Sequence, residues 1–166
     1  MKSLKPLLLL VAVFSIGGYA QASGQLKPFG EFGFIGPYGV AIGAGAFYDK
    51  PEMIQYIKGF WGGAALLLDD ESDDGYGNYT ESVLDFHGGI SFDSREIPGL
   101  NQVEKLTLFA GLSVAFRDYE HQGENRSRTM FGPVVGAVYD VSQHWTLGGM
   151  LSTTTNDPRL IFSYSF

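Results

Sequence analysis

The chain has 166 residues and a formal charge of −7, with 45% hydrophobic residues, 17% charged residues and no cysteine. An acidic chain is excluded from gripping nucleic acid, which needs clustered Lys and Arg, and a chain without thiols builds neither a disulfide framework nor a thiolate zinc site. Its 23 glycines and its aromatic residues are spread along the length instead of forming apolar blocks, the distribution that alternating strands produce.

The first element is a leader. Lys2 and Lys5 precede an apolar run from Leu7 to Ile16, Gly17 and Gly18 interrupt it, and Ala20-Gln21-Ala22 places small residues ahead of a cut before Ser23. The apolar core is too short to cross a bilayer of roughly 30 Å as a helix. Residues 1–22 are therefore expected to be a cleaved signal peptide and residues 23–166 one mature domain, whose charge falls to −9 when the two lysines leave. No later segment is long and apolar enough for a membrane helix, so closed β-structure is the remaining way for the mature chain to cross a membrane.

From Phe29 the pattern has period two. PFGEFGFIG sets Phe32 and Phe34 against Glu31 and Gly33, a first strand. In the second, Tyr38, Val40, Ile42, Ala44, Ala46 and Tyr48 face outward and Gly39, Ala41, Gly43, Gly45 and Asp49 inward, a nearly bare inner face suited to a narrow barrel. Asp49 to Met53 is a turn. Gln55 to Leu68 holds a third strand of ambiguous register: with Lys58 inside, strict alternation sends Trp61 to the outside.

The acidic loop DDESDDGYGNY follows and must lie in water. A fourth strand sets Ser82, Leu84, Phe86, Ile90 and Phe92 outward and Glu81, Asp85, His87, Gly89, Ser91 and Asp93 inward. After SREIPGLNQ, a fifth puts Leu106, Leu108, Ala110, Leu112, Val114 and Phe116 outside and Lys105, Thr107, Gly111, Ser113 and Arg117 inside. A sixth puts Phe131, Pro133, Val135, Ala137 and Tyr139 outside and Arg128, Met130, Gly132, Gly136 and Asp140 inside, with Pro133 expected at a bulge or a locally unpaired site.

DVSQH is a tight turn bracketed by Tyr139 and Trp145, and a seventh strand carries Trp145, Leu147, Gly149 and Leu151 outward. The eighth, PRLIFSYSF, alternates Leu160, Phe162, Tyr164 and Phe166 with Arg159, Ile161, Ser163 and Ser165. The fold class is thus all-β: an antiparallel up-and-down transmembrane barrel of about eight strands. An even count puts both chain ends on the periplasmic side.

These marks together give the resemblance. The leader, the alternating segments, the Y-D-x-S-x-x-W turn from Tyr139 to Trp145 and the terminal FSYSF resemble the small eight-stranded outer-membrane barrels of Gram-negative bacteria: the membrane domain of the outer membrane protein A type, the outer membrane protein X family and the attachment-invasion proteins. The last strand is similar to the C-terminal targeting signal of such proteins, which implies that Phe162, Tyr164 and Phe166 are read by the barrel assembly machinery after delivery by periplasmic chaperones. The resemblance implies a monomer in the bilayer, in contact with lipopolysaccharide, that acts through extracellular loops in envelope integrity or surface interaction. Those loops read as short, which counts against a projecting adhesin.

Three constellations carry chemistry. Inward charges at Glu31, Glu81, Asp85, Lys105, Arg117, Arg128 and Arg159, with Lys58 as a further candidate, need partners in a narrow lumen; Glu81 or Asp85 can meet Arg117, and Glu31 can meet Arg159 at closure. This reads first as a salt-bridge plug, with a gated pore as the alternative. Asp70, Ser72, Asp74 and Asn78, with Glu81, have the spacing of a helix-flanked calcium loop, yet the flanks are strands and Gly77 replaces the expected hydrophobe, so a solvated loop without a metal is the expectation. Lipid A deacylases and acyltransferases are the enzymatic alternative. His87, Asp85 and Ser91 share a face and His121 lies near Glu120 and Ser127, but no serine has an evident base and orienter, so no catalytic residue and no cofactor is assigned. A soluble lipocalin-like barrel is the rival at the level of fold.

Overall fold

The computed structural model describes residues 25–35, 39–50, 56–69, 79–121, 124–155 and 157–164. Eight strands follow in chain order: β1 (Gln25–Ile35), β2 (Gly39–Asp49), β3 (Ile57–Asp69), β4 (Tyr79–Asp93), β5 (Leu106–His121), β6 (Glu124–Asp140), β7 (Trp145–Ser152) and β8 (Asp157–Tyr164). Each pairs antiparallel with the next and β8 returns to β1, closing the barrel. The leader, the acidic loop with Asp70, Ser72, Asp74 and Asn78, Tyr38, and Phe166 lie outside the described residues.

Alternation divides the side chains as the pattern requires. Leu112 is 70% exposed and Phe131 76%, and Phe34, Ile42, Phe60, Phe86, Phe116, Val135, Leu147, Leu151, Leu160 and Phe162 share this outer face. So large an apolar belt on a closed sheet needs hydrocarbon around it. On the border beside the β6–β7 turn Tyr139, Trp145 and Tyr164 are exposed, with Trp145 and Tyr164 edge to face at 4.9 Å, the arrangement of an interfacial aromatic girdle. The turn beneath is pinned locally: Ser142 Oγ accepts from the His144 and Trp145 N–H groups at 3.2 and 3.1 Å, and Thr146 Oγ1 donates to Asp140 at 2.5 Å. That is the physical content of the Y-D-x-S-x-x-W motif.

Two local features differ from strict alternation. The β3–β4 register shifts between Ile57 and Gly59, so Lys58 is an extra residue. This bulge lets Lys58 and Trp61 both face in: Lys58 donates to Thr107 Oγ1 at 2.8 Å, and Trp61 is 4% exposed inside the barrel, not on lipid. Lys105 precedes β5 in the left-handed region at φ 69°, and its carbonyl accepts from the Asp140 N–H at 3.0 Å. It is exposed in the turn before β5 and does not point into the lumen.

Pro133 causes no loss to the ladder with β5. Its carbonyl accepts from the Thr153 N–H at 3.1 Å, on the β7 side. In an antiparallel strand its nitrogen points the same way, toward the place where the β6–β7 pairing has just ended at Val134↔Ser152.

Candidate functional site

Inside, the side chains form layers. At the mouth beside the β6–β7 turn Asp49 meets Lys27 at 3.3 Å and Lys58 at 3.5 Å. Above lies an apolar layer of Phe29, Phe47, Trp61, Phe109, Val138, Met150 and Ile161. The aromatic rings need space that only glycine leaves: a Cβ on Gly45 would collide with Phe29, and one on Gly136 with Phe109. The inner face of β2 is therefore bare at Gly43 and Gly45 because neighbours fill it, and Phe47 on the same strand is itself part of the filling.

The next layer is charged and fully buried. Arg159 Nη1 donates to Glu31 at 3.2 Å across the β1–β8 seam, its Nη2 lies 2.7 Å from Asp85 on β4, and Nη2 also donates to Thr155 at 2.9 Å. His87 closes the ring, with Nε2 at 3.2 Å from Glu31 and Nδ1 at 3.4 Å from Asp85. Neither of these two contacts has hydrogen-bond direction, so they are close approaches and not aligned bonds. Ser113 donates to Asp85 at 2.5 Å and leads into a hydroxyl chain through Thr154 and Ser152, at 2.6 and 2.7 Å. Trp61 stacks on His87 at 5.5 Å, and the imidazole occupies the space a Gly63 Cβ would need, 2.8 Å from Nε2.

Above the ring a second apolar layer of Ala41, Ala65, Leu67, Val83 and Ala115, with Met130 against it, separates these charges from the outside. Apolar layers enclose these charges on both sides, so side chains fill the lumen at this height.

Glu31 and Arg159 thus stand together. Asp85, one of the two carboxylates expected to meet Arg117, has Arg159 as its ion-pair partner. The reason is height: Arg117 is opposite Val83 and Asp85 opposite Ala115, so the apolar layer lies between them. Arg128 is exposed, in direct register with Arg117 above that layer. Glu81 is opposite Tyr119 in the same upper part of the sheet. Ser91 is buried and its hydroxyl makes no hydrogen bond among the described residues, so it has no link to His87. Of the terminal aromatics, Phe162 and Tyr164 face outward.

The strands end at different heights. β5 and β6 pair from Leu106↔Tyr139 to His121↔Glu124, and β4 follows β5 to Tyr79↔His121. β7 pairs with β6 only as far as Val134↔Ser152. On the outer face of this tall side, apolar Phe116 and Phe131 give way to Asp118, Ser127 and Thr129, with Ser127 donating to Asp118 at 2.6 Å. The polar change marks where the sheet leaves hydrocarbon. The strands β4–β6 themselves carry the sheet past this point.

A closed eight-stranded antiparallel barrel with a lipid-facing belt, an aromatic border and a filled interior defines the class: a transmembrane β-barrel of the bacterial outer-membrane type. No protein-family model and no curated protein sequence matches the chain. Among solved structures it is similar to the attachment invasion locus protein of Yersinia pestis, at 10% identity and TM-score 0.49 over 85% of this chain and 95% of that one. The same protein in complex with the heparin analogue sucrose octasulfate matches at 12% and 0.47, over 85% and 95%. Neisserial surface protein A matches at 13% and 0.44, over 84% and 91%. The class rests on the barrel's own geometry.

Proposed function

We propose that this protein is a non-enzymatic docking barrel of the outer membrane of a Gram-negative bacterium, surrounded by bilayer and lipopolysaccharide, which engages partners through the sheet that β3–β6 raise above the membrane. In this reading residues 1–22 are a signal peptide, periplasmic chaperones carry the remainder, the assembly machinery reads Phe162, Tyr164 and Phe166, and the barrel works as a monomer. The observation that carries the proposal is the outer part of β6. From Glu124 to Gly132 it has β5 on one side and, among the described residues, no β7 register partner on the other.

A strand edge in water with no partner strand among the described residues is a template for an added strand. The direction of the Pro133 carbonyl fixes which groups are on offer: Ser127, Thr129 and Phe131 point their N–H and C=O groups to the open side, while Arg126 and Arg128 are bonded to β5.

Amide hydrogen exchange on the barrel in lipid nanodiscs tests this directly. Ser127 and Thr129 should exchange at the rate of exposed amides while Arg126 and Arg128 are protected. Equal protection at all four would mean that the edge is already covered and would overturn the reading. Mass spectrometry of lipid A from cells with and without the gene should show no change in acylation; a change would replace docking with lipid A modification.

A further inference from the structure

The barrel mouth beside the β6–β7 turn contains a cavity of 280 Å³. Three carboxylates, of Asp93, Glu104 and Asp140, and three cations, Lys58, Arg95 and Lys105, line it. The next inward residues on β5 and β6, Phe109 and Val138, belong to the apolar layer that fills the lumen, so the cavity has a dry floor.

Half of these charges already have partners. Arg95 lies 2.6 Å from Asp93, and Lys58 lies 3.5 Å from Asp49 and donates to Thr107 at 2.8 Å. Glu104, Lys105 and Asp140 have no ion-pair partner among the described residues. The backbone keeps the last two apart. The Asp140 N–H donates to the Lys105 carbonyl at 3.0 Å, and in a regular strand the two opposite charges would stand side by side. The left-handed φ of 69° at Lys105 breaks that face, and the Asp140 carboxylate accepts instead from the Thr146 hydroxyl at 2.5 Å. A residue with a Cβ takes up that backbone only against steric resistance, and strain of this kind gathers where a site is preorganised.

What is left is one cation and two carboxylates around a volume too small for a helix of about 10 Å diameter. Each carboxylate suits an ammonium group, and each lysine suits a carboxylate. We infer that this cavity binds a small diamino-monocarboxylic acid, the chemistry of a basic amino acid either free or at the end of a peptide. Glu104 and Asp140 take its two ammonium groups, and Lys105, with a remaining donor of Lys58, takes its carboxylate. The site lies at the opposite end of β6 from the docking edge and does not depend on it.

The test is calorimetry on the full barrel in nanodiscs of zwitterionic lipid, with free lysine as the probe. Lysine should bind, more weakly as salt is raised. Cadaverine, which lacks the carboxylate, and hexanoate, which lacks both ammonium groups, should bind at least about tenfold more weakly. Lys105→Gln and Glu104→Gln, both in the exposed turn before β5, should each weaken lysine binding by about tenfold. Lys105→Arg should retain most of it, and Asp118→Asn, a charge change on the outer part of β5, should have no effect. Heat-modifiable migration on gels shows that each variant is folded. The dipeptide glycyl-lysine identifies the source: tighter binding than free lysine points to a peptide end, and weaker binding points to the free amino acid.

Absence of lysine binding, equal binding of cadaverine and lysine, or binding unchanged by both Lys105→Gln and Glu104→Gln would overturn the inference. The docking proposal stands or falls separately, on amide exchange at Ser127 and Thr129.

Discussion

The two sides of this barrel are held by different forces. On the tall side β4 and β5 pair continuously from Asp93↔Thr107 to Tyr79↔His121, a ladder that extends past hydrocarbon into water. On the short side β1 and β8 share only the register from Phe29↔Ser163 to Gly33↔Arg159. There Arg159 compensates for the brief ladder by reaching from β8 to Glu31 on β1 and across the lumen to Asp85 on β4. Where backbone pairing is long the ladder itself holds the sheet; where it is short, buried ion pairs help to close it.

The sharpest break in that contrast is Arg159→Leu. It leaves the Glu31 and Asp85 carboxylates buried without their permanent cation, a loss of about 3–5 kcal/mol. The urea midpoint of the refolded barrel in vesicles should collapse, and adding Asp85→Asn should recover part of it. Leu112→Arg should cost about 2–4 kcal/mol because it places a cation in the lipid belt, whereas Thr129→Arg, on the same outer face but above the belt, should cost close to nothing. Equal effects at the two would erase the membrane boundary drawn between Phe131 and Thr129.

Gly136→Ala forces a Cβ into Phe109 and should lower stability by about 1–3 kcal/mol through overpacking. Ser113→Ala is the mildest test of the charged layer. It removes one hydrogen bond to the Asp85 carboxylate, which contributes about 1.5–3 kcal/mol when the acceptor is charged, and the remaining hydroxyls of Ser152 and Thr154 soften the loss.

Period-two patterning made the lipid face legible from sequence, because every outward residue must be apolar whatever its neighbours are. It also brought Glu31 and Arg159 together, since closure fixes that β8 lies beside β1. It did not reveal heights. Whether Asp85 meets Arg117 or Arg159 depends on strand stagger, which no single strand encodes, and the stagger set an apolar layer between Asp85 and Arg117.

Trp61 was misplaced because a bulge at Lys58 breaks alternation without a glycine or proline to announce it. Phe47 and Phe109 carried a usable signal: both sit at inward parity, where bare Gly45 and Gly136 leave room for rings. Lys105 looked inward by parity alone, and its left-handed backbone shows that the strand begins one residue later.

The central claim is that the β3–β6 sheet stands outside the membrane while the belt below it faces lipid. Because the chain has no cysteine, single cysteines report without background. A membrane-impermeant maleimide applied to intact cells should label Ser127→Cys, and should fail to label Leu112→Cys or Ser142→Cys until the cells are opened. Labelling of Ser142→Cys on intact cells with none at Ser127→Cys would invert the barrel, and ready labelling of Leu112→Cys would remove it from the membrane; either result would contradict the account.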